Sequence, residues 1–444
     1  MITYSIIQKS QLEGAKRLDA ECYQPEYLKL VNNLNKLGAM PIREVATNPK
    51  RKFKTRKGEM FQYIEISEVD LSTGEYNKAE ILGENAPDRA QWIVQKGDII
   101  ISTVRPIRNA VSLIIEDSKN LVCSSGFAVL KSEKIEPEYL FVYLKTKPIV
   151  ELLDRLTTAT MYPAITVDDI LNTKIYLGDK NFREEIKNQV IEAQKELENS
   201  KSLYFQAENL LLEELGLKDF RIEDSLFSIV NLSDVKSAER MDAEYFQNKY
   251  EKLISKIKKQ KLKTLENFVK EYSTGFPFKS ENYQEQGVPL IRINNIRMGF
   301  IDLGDSAYLS KKDYLLSPKD TARPGDIVLS MSGTIGMSAV VPEDVPKCSV
   351  NQRILRITPK DIDKNYLALL LNSIIGSYQL ERIGTGGVQT NISYKDIRKI
   401  LIPILPQTIQ QKIADLVQKS HEARKKAKEL LEEAKQKVEN LIEK

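Results

Sequence analysis

The hydrophobic pattern is clearest in residues 182–215, a stretch that contains neither proline nor glycine. Apolar or small residues recur there at alternating steps of four and three, which places them on one stripe of a helix. The stripe consists of Ile186, Val190, Ala193, Leu197, Ser200, Tyr204, Ala207 and Leu211. Charged residues fill the other faces, so the pattern predicts one long exposed helix that needs a partner along its seam. At about 1.5 Å per residue it would extend roughly 50 Å.

A second stripe of the same kind closes the chain. It consists of Ile409, Ile413, Leu416, Ser420, Ala423, Ala427, Leu430, Ala434 and Leu441. With the first helix it predicts the order domain, helix, domain, helix. The predicted bounds are 1–181 for the first domain, 182–217 for the central helix, 218–405 for the second domain and 406–444 for the final helix.

The two predicted domains resemble each other in sequence. RLDAECYQPEYLKL from Arg17 corresponds to RMDAEYFQNKYEKL from Arg240, and KGDIIIS corresponds to PGDIVLS. YIEISEVDLSTGEY corresponds to LIRINNIRMGFID, and TTATMYPAITVDDI to GTGGVQTNISYKDI, with Cys123-Ser124 aligned to Cys348-Ser349. The order never changes and the offset drifts by only a few residues, so we predict an internal duplication.

Within the first half, periodicity predicts a short helix over Glu26–Leu37 and a further helix over Pro137–Leu156. Residues 43–60 lack any period and are predicted to be a loop. From Phe61 onward the pattern favours β-strands, with Gly97-Asp98 as a turn before one of them. Strands and helices in both halves predict an α+β fold of two repeated, mixed α/β domains.

Composition excludes several classes of protein. The chain has 444 residues, with 41% hydrophobic and 29% charged residues and a net charge of +4, as in an ordinary soluble protein. Three cysteines and no CxxC pair argue against a disulfide framework or a zinc site, so we expect the cysteines to be small side chains buried in the core. No apolar run is long enough for a membrane span and no signal segment is evident, so a cytoplasmic protein is predicted.

No catalytic constellation is evident, and we expect neither a metal nor another cofactor. The single histidine, His421, lies in the charged final helix and is predicted to be exposed to solvent, which leaves a serine or cysteine nucleophile without its base. Asp98 and Asp326 each follow a glycine and are explained by turn capping. GTGGVQT, residues 384–390, lacks the spacing of a nucleotide-binding loop, and SGTIG, residues 332–336, is predicted to be a tight turn.

Side chains that suit phosphates or base edges are the candidate functional residues. A basic cluster beside Phe53 and Phe61 suits a DNA backbone, although a solvated loop is the alternative. The first-half candidates are Lys50, Arg51, Lys52, Lys54, Arg56, Lys57, Arg105, Arg108 and Tyr162. The second-half candidates are Lys279, Arg292, Asn294, Asn295, Arg297, Gln352, Arg353, Gln389 and Asn391. Aligned positions differ in chemistry, as in Arg105 against Gly333 and Tyr162 against Gln389. Such differences are typical of two domains that recognise different nucleic-acid sequences.

In combination these motifs resemble a known family. GVPLIRINNI, ARPGDIVLSMSGTIG, CSVNQ, GGVQTNIS and IRKILIPILPQTIQQKIADLV occur in the order found in specificity subunits of Type I restriction-modification systems. The resemblance covers nearly the whole chain, and only the combined order is specific. The first half departs from it, with SSGF in place of SVNQ and TMYPAIT in place of GVQTNIS.

The resemblance implies two target recognition domains with pseudo-twofold symmetry. Each would read one half of a bipartite, asymmetric site in double-stranded DNA. The two helices would pack antiparallel as a coiled-coil spacer and dock two modification (methyltransferase) subunits, and restriction/motor subunits would join the full complex. The DNA methylation chemistry would lie in the partners, and this chain would not be an enzyme. The alternatives are a duplicated enzyme with a site between its halves and a coiled-coil scaffold that does not bind DNA.

Overall fold

A computed structural model describes residues 4–9, 12, 18–158, 162–221, 227–304, 306–345, 347–384 and 391–443. The chain divides into two compact units. The first unit comprises residues 1–197 and 425–444, and the second comprises residues 198–424. Each unit is described below by itself.

The first unit is built on two four-stranded sheets and one short strand pair. Its strands are β1 (Met40–Pro41), β2 (Ala46–Thr47), β3 (Met60–Ile64), β4 (Ala79–Leu82), β5 (Ala90–Ile93), β6 (Asp98–Ser102), β7 (Val111–Leu113), β8 (Leu121–Ser124), β9 (Phe127–Ser132) and β10 (Lys174–Ile175). One sheet has the order β2-β9-β6-β7 and is antiparallel throughout. The other has the order β4-β3-β8-β5 with β3 and β8 parallel, and β1 pairs with β10.

Helices cover the first sheet and complete the core of this unit. They are α1 (Pro25–Lys36), α2 (Pro137–Lys145), α3 (Lys147–Asp154), α4 (Val167–Asn172) and the first part of the long helix α5 (Lys180–Glu214). The predicted helix over Glu26–Leu37 is confirmed. The single helix predicted over Pro137–Leu156 is wrong, because Thr146 is extended and two helices flank it. Pro148 explains the break, since proline lacks an N–H donor and is tolerated only in the first turn of a helix.

The second unit repeats this plan. Its helices are α6 (Leu232–Ala238), α7 (Asn248–Ile257), α8 (Lys311–Tyr314), α9 (Lys364–Asn372), α10 (Ile374–Ile383), α11 (Tyr394–Ile397) and the first part of α12 (Gln407–Glu443). Its strands are β11 (Leu262–Thr264), β12 (Val269–Ser273), β13 (Val288–Ile291), β14 (Ile296–Arg297), β15 (Phe300–Ile301), β16 (Ala307–Leu309), β17 (Thr321–Ala322), β18 (Ile327–Ser330), β19 (Ser338–Val340), β20 (Cys348–Val350), β21 (Ile354–Pro359) and β22 (Leu401–Pro403).

Strand order confirms the predicted duplication. The sheets β12-β21-β18-β19 and β16-β13-β20-β17 and the pair β11-β22 match the three sheets of the first unit strand for strand, including one parallel pairing, β13 with β20. The register corrects one detail of the sequence alignment. Ile64 faces Cys123 across the parallel pair, whereas Ile291 faces Val350. Cys123 therefore corresponds to Val350, and the predicted match of Cys123 with Cys348 is wrong by two residues.

Helix α5 buries its predicted stripe in the cores of the units, whereas the stripe predicted for α12 is only partly correct. In α12 the predicted Leu416, Leu430 and Leu441 are half-buried, and the fully buried residues include Val417, Leu431, Val438 and Ile442. Ile186 and Val190 lie in the core of the first unit, and Ala207 and Leu211 lie in that of the second. In the first unit the helices run antiparallel, because Glu185 pairs with Lys437 at 2.7 Å while Glu196 pairs with Lys426 at 2.7 Å. Among the described residues, no helix is both long and apolar enough to cross a membrane.

A buried polar contact joins α5 and α12 within the second unit. The Ser420 hydroxyl donates to the carbonyl of Ser200 at 2.7 Å, and the two hydroxyl oxygens lie 3.0 Å apart. Each hydroxyl has one proton, so the Ser200 hydroxyl must donate to Ser420 Oγ. Both side chains are buried, and these two hydrogen bonds satisfy their hydroxyl groups at the serine position of each stripe.

Candidate nucleic-acid interface

Three loops meet at one end of the sheets in the first unit. We call this the first junction, and it consists of residues 103–109 after β6, residues 125–126 between β8 and β9, and residues 157–166 before α4, of which 159–161 lie outside the described residues. The Thr103 N–H donates to the Gly126 carbonyl at 2.8 Å, and the Ile165 N–H donates to the Thr103 carbonyl at 2.9 Å. Val104 also forms an antiparallel bridge with Ala164. Backbone hydrogen bonds therefore fix the three loops to one another.

The second unit builds the same junction from corresponding residues. The second junction consists of residues 331–337, residues 351–353 and residues 384–393, of which 385–390 lie outside the described residues. The Met331 N–H donates to the Arg353 carbonyl at 2.9 Å, and the Ile392 N–H donates to the Met331 carbonyl at 3.1 Å. Ser332 forms the bridge with Asn391. The backbone framework is thus common to both units.

Side chains at the first junction include three of the predicted candidates. Arg105 adopts a left-handed backbone conformation with φ of 50°, and its guanidinium lies 5.6 Å from the centre of the Tyr162 ring. Tyr162 is 67% exposed, which leaves ring surface for a further partner. Arg108 is exposed in the same loop as Arg105. The structure therefore brings the side chains of Arg105 and Tyr162 together and places Arg108 in the same loop as Arg105.

The second junction presents different chemistry on the same framework. Arg353 has φ of 66°, is exposed, and donates a hydrogen bond to the side-chain oxygen of Asn391. Gln352 is also exposed, and its N–H donates to the Phe276 carbonyl at 3.0 Å. Gln389, predicted as a further candidate, lies outside the described residues.

A glycine allows the loop that carries Phe276 to approach this junction. Gly275 has φ of 74°, and a Cβ atom there would lie 1.9 Å from the carbonyl oxygen of Asn351. Any other residue would displace the backbone, because real Cβ atoms do not come so close. Lys279 follows in the same loop, exposed and 3.5 Å from Glu281.

The segment that follows β13 is mainly structural. Asn295 is 1% exposed, accepts from the Arg292 N–H at 2.9 Å and donates to the Asp302 carbonyl at 2.9 Å. The prediction that Asn295 contacts DNA is therefore wrong, because its amide holds the turn from within. Arg292 and Arg297 are half-buried, and Asn294 is exposed.

The basic loop of the first unit contains one structural residue among its candidates. The Arg51 guanidinium forms an ion pair with Asp98 and donates to Gln95 Oε1 at 2.7 Å. The Arg51 guanidinium is thereby engaged within the protein, and phosphate contact by Arg51 stays a prediction. The other candidates of this loop are exposed, namely Lys50, Lys52, Lys54, Arg56 and Lys57. Phe53 packs on Phe61 with ring centres 4.6 Å apart, which anchors the loop to the sheet.

The two turn aspartates cap their turns as predicted and carry an additional ion pair. Asp98 accepts from the Gln95 N–H at 2.7 Å, and Asp326 accepts from the Arg323 N–H at 2.9 Å. Asp326 also pairs with the buried Arg356 at 3.1 Å. Burial raises the pKa of Asp98, while the Gln95 N–H and the Arg51 guanidinium act in the opposite direction.

The single histidine is not exposed, contrary to the prediction. His421 is half-buried, and this desolvation lowers its pKa, with Arg424 acting in the same direction. Cys22, Cys123 and Cys348 are buried as predicted. Burial raises the pKa of Cys348 to about 12, so this thiol stays protonated at neutral pH. Among the described residues, no group of three His, Cys, Asp or Glu side chains could hold a metal ion.

Sequence reasoning missed one basic residue next to the first junction. Arg89 is exposed, and its carbonyl accepts from the Ser125 N–H at 2.7 Å. Arg89 comes just before β5, which pairs with β8, so its place beside the first junction is apparent only once the strand order is known.

Parts of the chain are similar in sequence to known proteins. Residues 258–436 match the family described as Type I restriction modification DNA specificity domain. The chain is similar to the Type I restriction enzyme MjaVIII specificity subunit of Methanocaldococcus jannaschii, with 30% identity over 39% of this chain and 43% of that relative. It is also similar to the HindI specificity subunit of Haemophilus influenzae, with 25% identity over 27% of this chain and 28% of that relative. The matches thus span less than half of the curated relatives.

Solved structures give a weaker likeness. The HsdS subunit from Thermoanaerobacter tengcongensis shares 20% identity over 91% of this chain and 95% of its own, with a TM-score of 0.33. The S subunit from M. genitalium shares 16% identity over 91% of this chain and 94% of its own, with a TM-score of 0.36. Neither superposition carries the assignment. Over residues 258–436 the chain thus resembles the Type I restriction modification DNA specificity domain, and the curated relatives that it resembles over part of its length are Type I specificity subunits.

Proposed function

We propose that this chain is the DNA sequence-recognition subunit of a Type I restriction-modification complex. Each junction reads one half of a bipartite, asymmetric site, and partner subunits carry out methylation and cleavage. The chain itself has no catalytic role. Two modification subunits, together with restriction/motor subunits in the full complex, are the partners.

The observation that carries this proposal is the repetition of one backbone framework with different side chains at its tips. Equivalent hydrogen bonds hold Thr103 to Gly126 and Met331 to Arg353. At the aligned tips Arg105 is replaced by Gly333, which keeps the positive φ at 69° but has no side chain. An enzyme duplicated for one reaction would retain its side chains, whereas a reader of two different half-sites must change them.

The chemistry of the tips suits nucleic acid. Arginine binds guanine through two parallel hydrogen bonds, and asparagine does the same with adenine. Arg353 and Asn391 lie together at the second junction, where each can satisfy the other until DNA arrives. At the first junction the exposed ring of Tyr162 beside Arg105 offers a stacking surface and a cation.

The exposed lysines of the basic loop supply the sequence-independent part of binding. Among the described residues, no carboxylate lies within ion-pairing distance of Lys50, Lys52 or Lys54. When unpaired lysines on one loop bind phosphates, counterions are released from the DNA. This release gives affinity without sequence preference. Base discrimination is then left to the junctions.

A selection experiment tests the proposal. The full-length chain is incubated with a pool of randomised DNA duplexes at low and at moderate salt, and the bound fraction is sequenced. We expect a motif in two parts separated by a spacer of constant length, with total binding that weakens steeply as salt rises. A bound fraction as random as the input would refute the proposal, and methylation by the chain alone would favour an enzyme instead.

A further inference from the structure

An exposed aliphatic side chain lies at the tip of the first junction. Ile107 is 57% exposed and belongs to a single turn of 3₁₀ helix, Pro106–Arg108, between β6 and β7. Among the described residues of both junctions, it is the one aliphatic side chain that is exposed. Single exposed apolar residues are common on protein surfaces and indicate nothing by themselves. The rigidity and the surroundings of this turn give Ile107 its significance.

Hydrogen bonds fix the turn to the body of the unit on both sides of Ile107. The Arg105 N–H donates to the Pro163 carbonyl at 2.7 Å. The Asn109 side-chain amide donates to the Lys145 carbonyl at 2.9 Å. The turn is therefore held at its first and last residues by two different parts of the first unit.

The middle of the turn is fixed as well. The Ile107 N–H donates to the Asp154 carboxylate, and this hydrogen bond opposes the rise in the pKa of Asp154 that burial causes. Arg105 and Asn109 both adopt left-handed backbone conformations, with φ of 50° and 57°. Residues other than glycine keep such conformations only where the surrounding structure determines them. The Ile107 side chain is thus presented from a backbone of one defined shape.

The second unit shows that this exposure is not a requirement of the shared framework. Ile335 lies two residues after Gly333, as Ile107 lies two residues after Arg105. Ile335 is half-buried and packs against the core of the second unit. The same residue type is therefore engaged in the core at one junction and exposed at the other.

The neighbours of Ile107 select the class of partner. Arg105 and Arg108 lie on either side of it, and among the described residues neither forms an ion pair with a carboxylate. Two guanidinium groups beside one aliphatic side chain suit a polyanion that also presents an apolar group. In the major groove of DNA, the base edges offer one such group, the C5-methyl group of thymine.

We infer that Ile107 contacts the C5-methyl group of a thymine in the half-site read by the first junction. The contact removes both apolar groups from water, while the flanking arginines meet phosphates or guanine edges. The fixed turn adds to affinity, because little freedom is lost on binding. This inference rests on the proposed function, and it names one base of one half-site.

The test uses the full-length chain and the duplex obtained from the selection described above. Each thymine of the motif is replaced in turn by deoxyuridine, which keeps the O4 acceptor and removes only the methyl group. We expect replacement of one thymine to weaken binding about fourfold, as the loss of one buried methyl group predicts. That thymine must lie in the half of the motif that Arg353→Ala leaves unchanged. Competition measured by fluorescence anisotropy gives the affinities.

A variant of the side chain completes a double-mutant cycle. Ile107→Ala should bind the thymine and uracil duplexes equally, because the partner of the methyl group is gone. Arg108→Ala is the matched control in the same turn, and it should weaken binding to both duplexes by the same factor and so keep the ratio between them. Ile107→Ala should melt at the wild-type temperature, because the side chain is exposed.

The outcomes distinguish this inference from the proposed function. If the wild-type chain binds every uracil duplex as tightly as the thymine duplex, the role of Ile107 alone is overturned, and an apolar wedge between base steps would give this result. A ratio that persists in Ile107→Ala, or that is also lost in Arg108→Ala, overturns it as well. A wild-type chain that enriches no motif overturns the proposed function, and the role of Ile107 with it.

Discussion

The basic loop allows a quantitative test of phosphate contact. Changing Lys50, Lys52 and Lys54 together to alanine removes three exposed charges and leaves Arg51 in its ion pair with Asp98. If each lysine neutralises one phosphate, the slope of log affinity against log salt should become shallower by about 2.7, or roughly 0.9 per contact. If the two proteins bind equally at about 1 M salt, this difference in slope corresponds to roughly a 170-fold loss of affinity near 0.15 M.

Fluorescence anisotropy of a labelled duplex measures this slope between about 50 and 200 mM salt. The matched control changes the same three lysines to arginine, which keeps the charges and should keep the slope. Sequence preference should be the same in all three proteins, because phosphates carry no base information. An unchanged slope in the alanine variant would refute phosphate contact by this loop.

Arg51 must be left out of that variant for a structural reason. Asp98 is 2% exposed, and removing Arg51 would leave its buried carboxylate without its ion-pair partner. Breaking one side of a buried ion pair costs about 3 kcal/mol or more. Arg51→Ala should therefore lower the melting temperature, whereas the lysine variant should not. Equal melting temperatures for Arg51→Ala and wild type would contradict the structural role of Arg51.

Three further predictions follow from the helices. Because burial lowers the pKa of His421, its contribution to stability is present above its unfolded pKa of about 6.5 and is lost as pH falls below that value. Melting temperatures measured roughly one pH unit above and one below that value should therefore differ less for His421→Gln than for wild type. Ser420→Ala should lower the free energy of unfolding by about 2 kcal/mol and Ser200→Ala by about 1 kcal/mol, because only Ser420→Ala leaves the Ser200 hydroxyl buried without an acceptor. Urea titrations measure both losses, and equal losses would contradict this assignment of donors. Deleting four residues from each long helix should shorten the spacer between selected half-sites, and an unchanged spacer would count against helices that set the distance.

Much of the architecture was predictable because periodicity is local. The stripe from Ile186 to Leu211 needs only the 3.6-residue turn of a helix, and the duplication needs only the comparison of one half with the other. The break before Pro148 was predictable in principle from proline chemistry, but the apolar residues on both sides concealed it. Strand register was not predictable, because a slip of two residues preserves the alternation of faces, as the Cys123 alignment illustrates.

The candidate site shows the same division between local and distant information. Residue type and loop position alone indicated Arg105, Tyr162, Arg353 and Asn391. Folding brings Arg105 to Tyr162 and Arg353 to Asn391, because both units share the same backbone framework. The same reasoning grouped Arg51 with its basic neighbours in residues 50–57, since the sequence of a loop reveals charge but not distant partners.

The sequence by itself determined the repeated plan, the helical stripes and the residue types available at the loop tips, because each depends on neighbours along the chain. Only the tertiary structure decided which of these residues are engaged within the protein. Arg51 has a partner far along the chain, Asn295 forms its hydrogen bonds inside a closed turn, and His421 is half-buried. Burial and pairing are properties of space, and no pattern along the chain reports them.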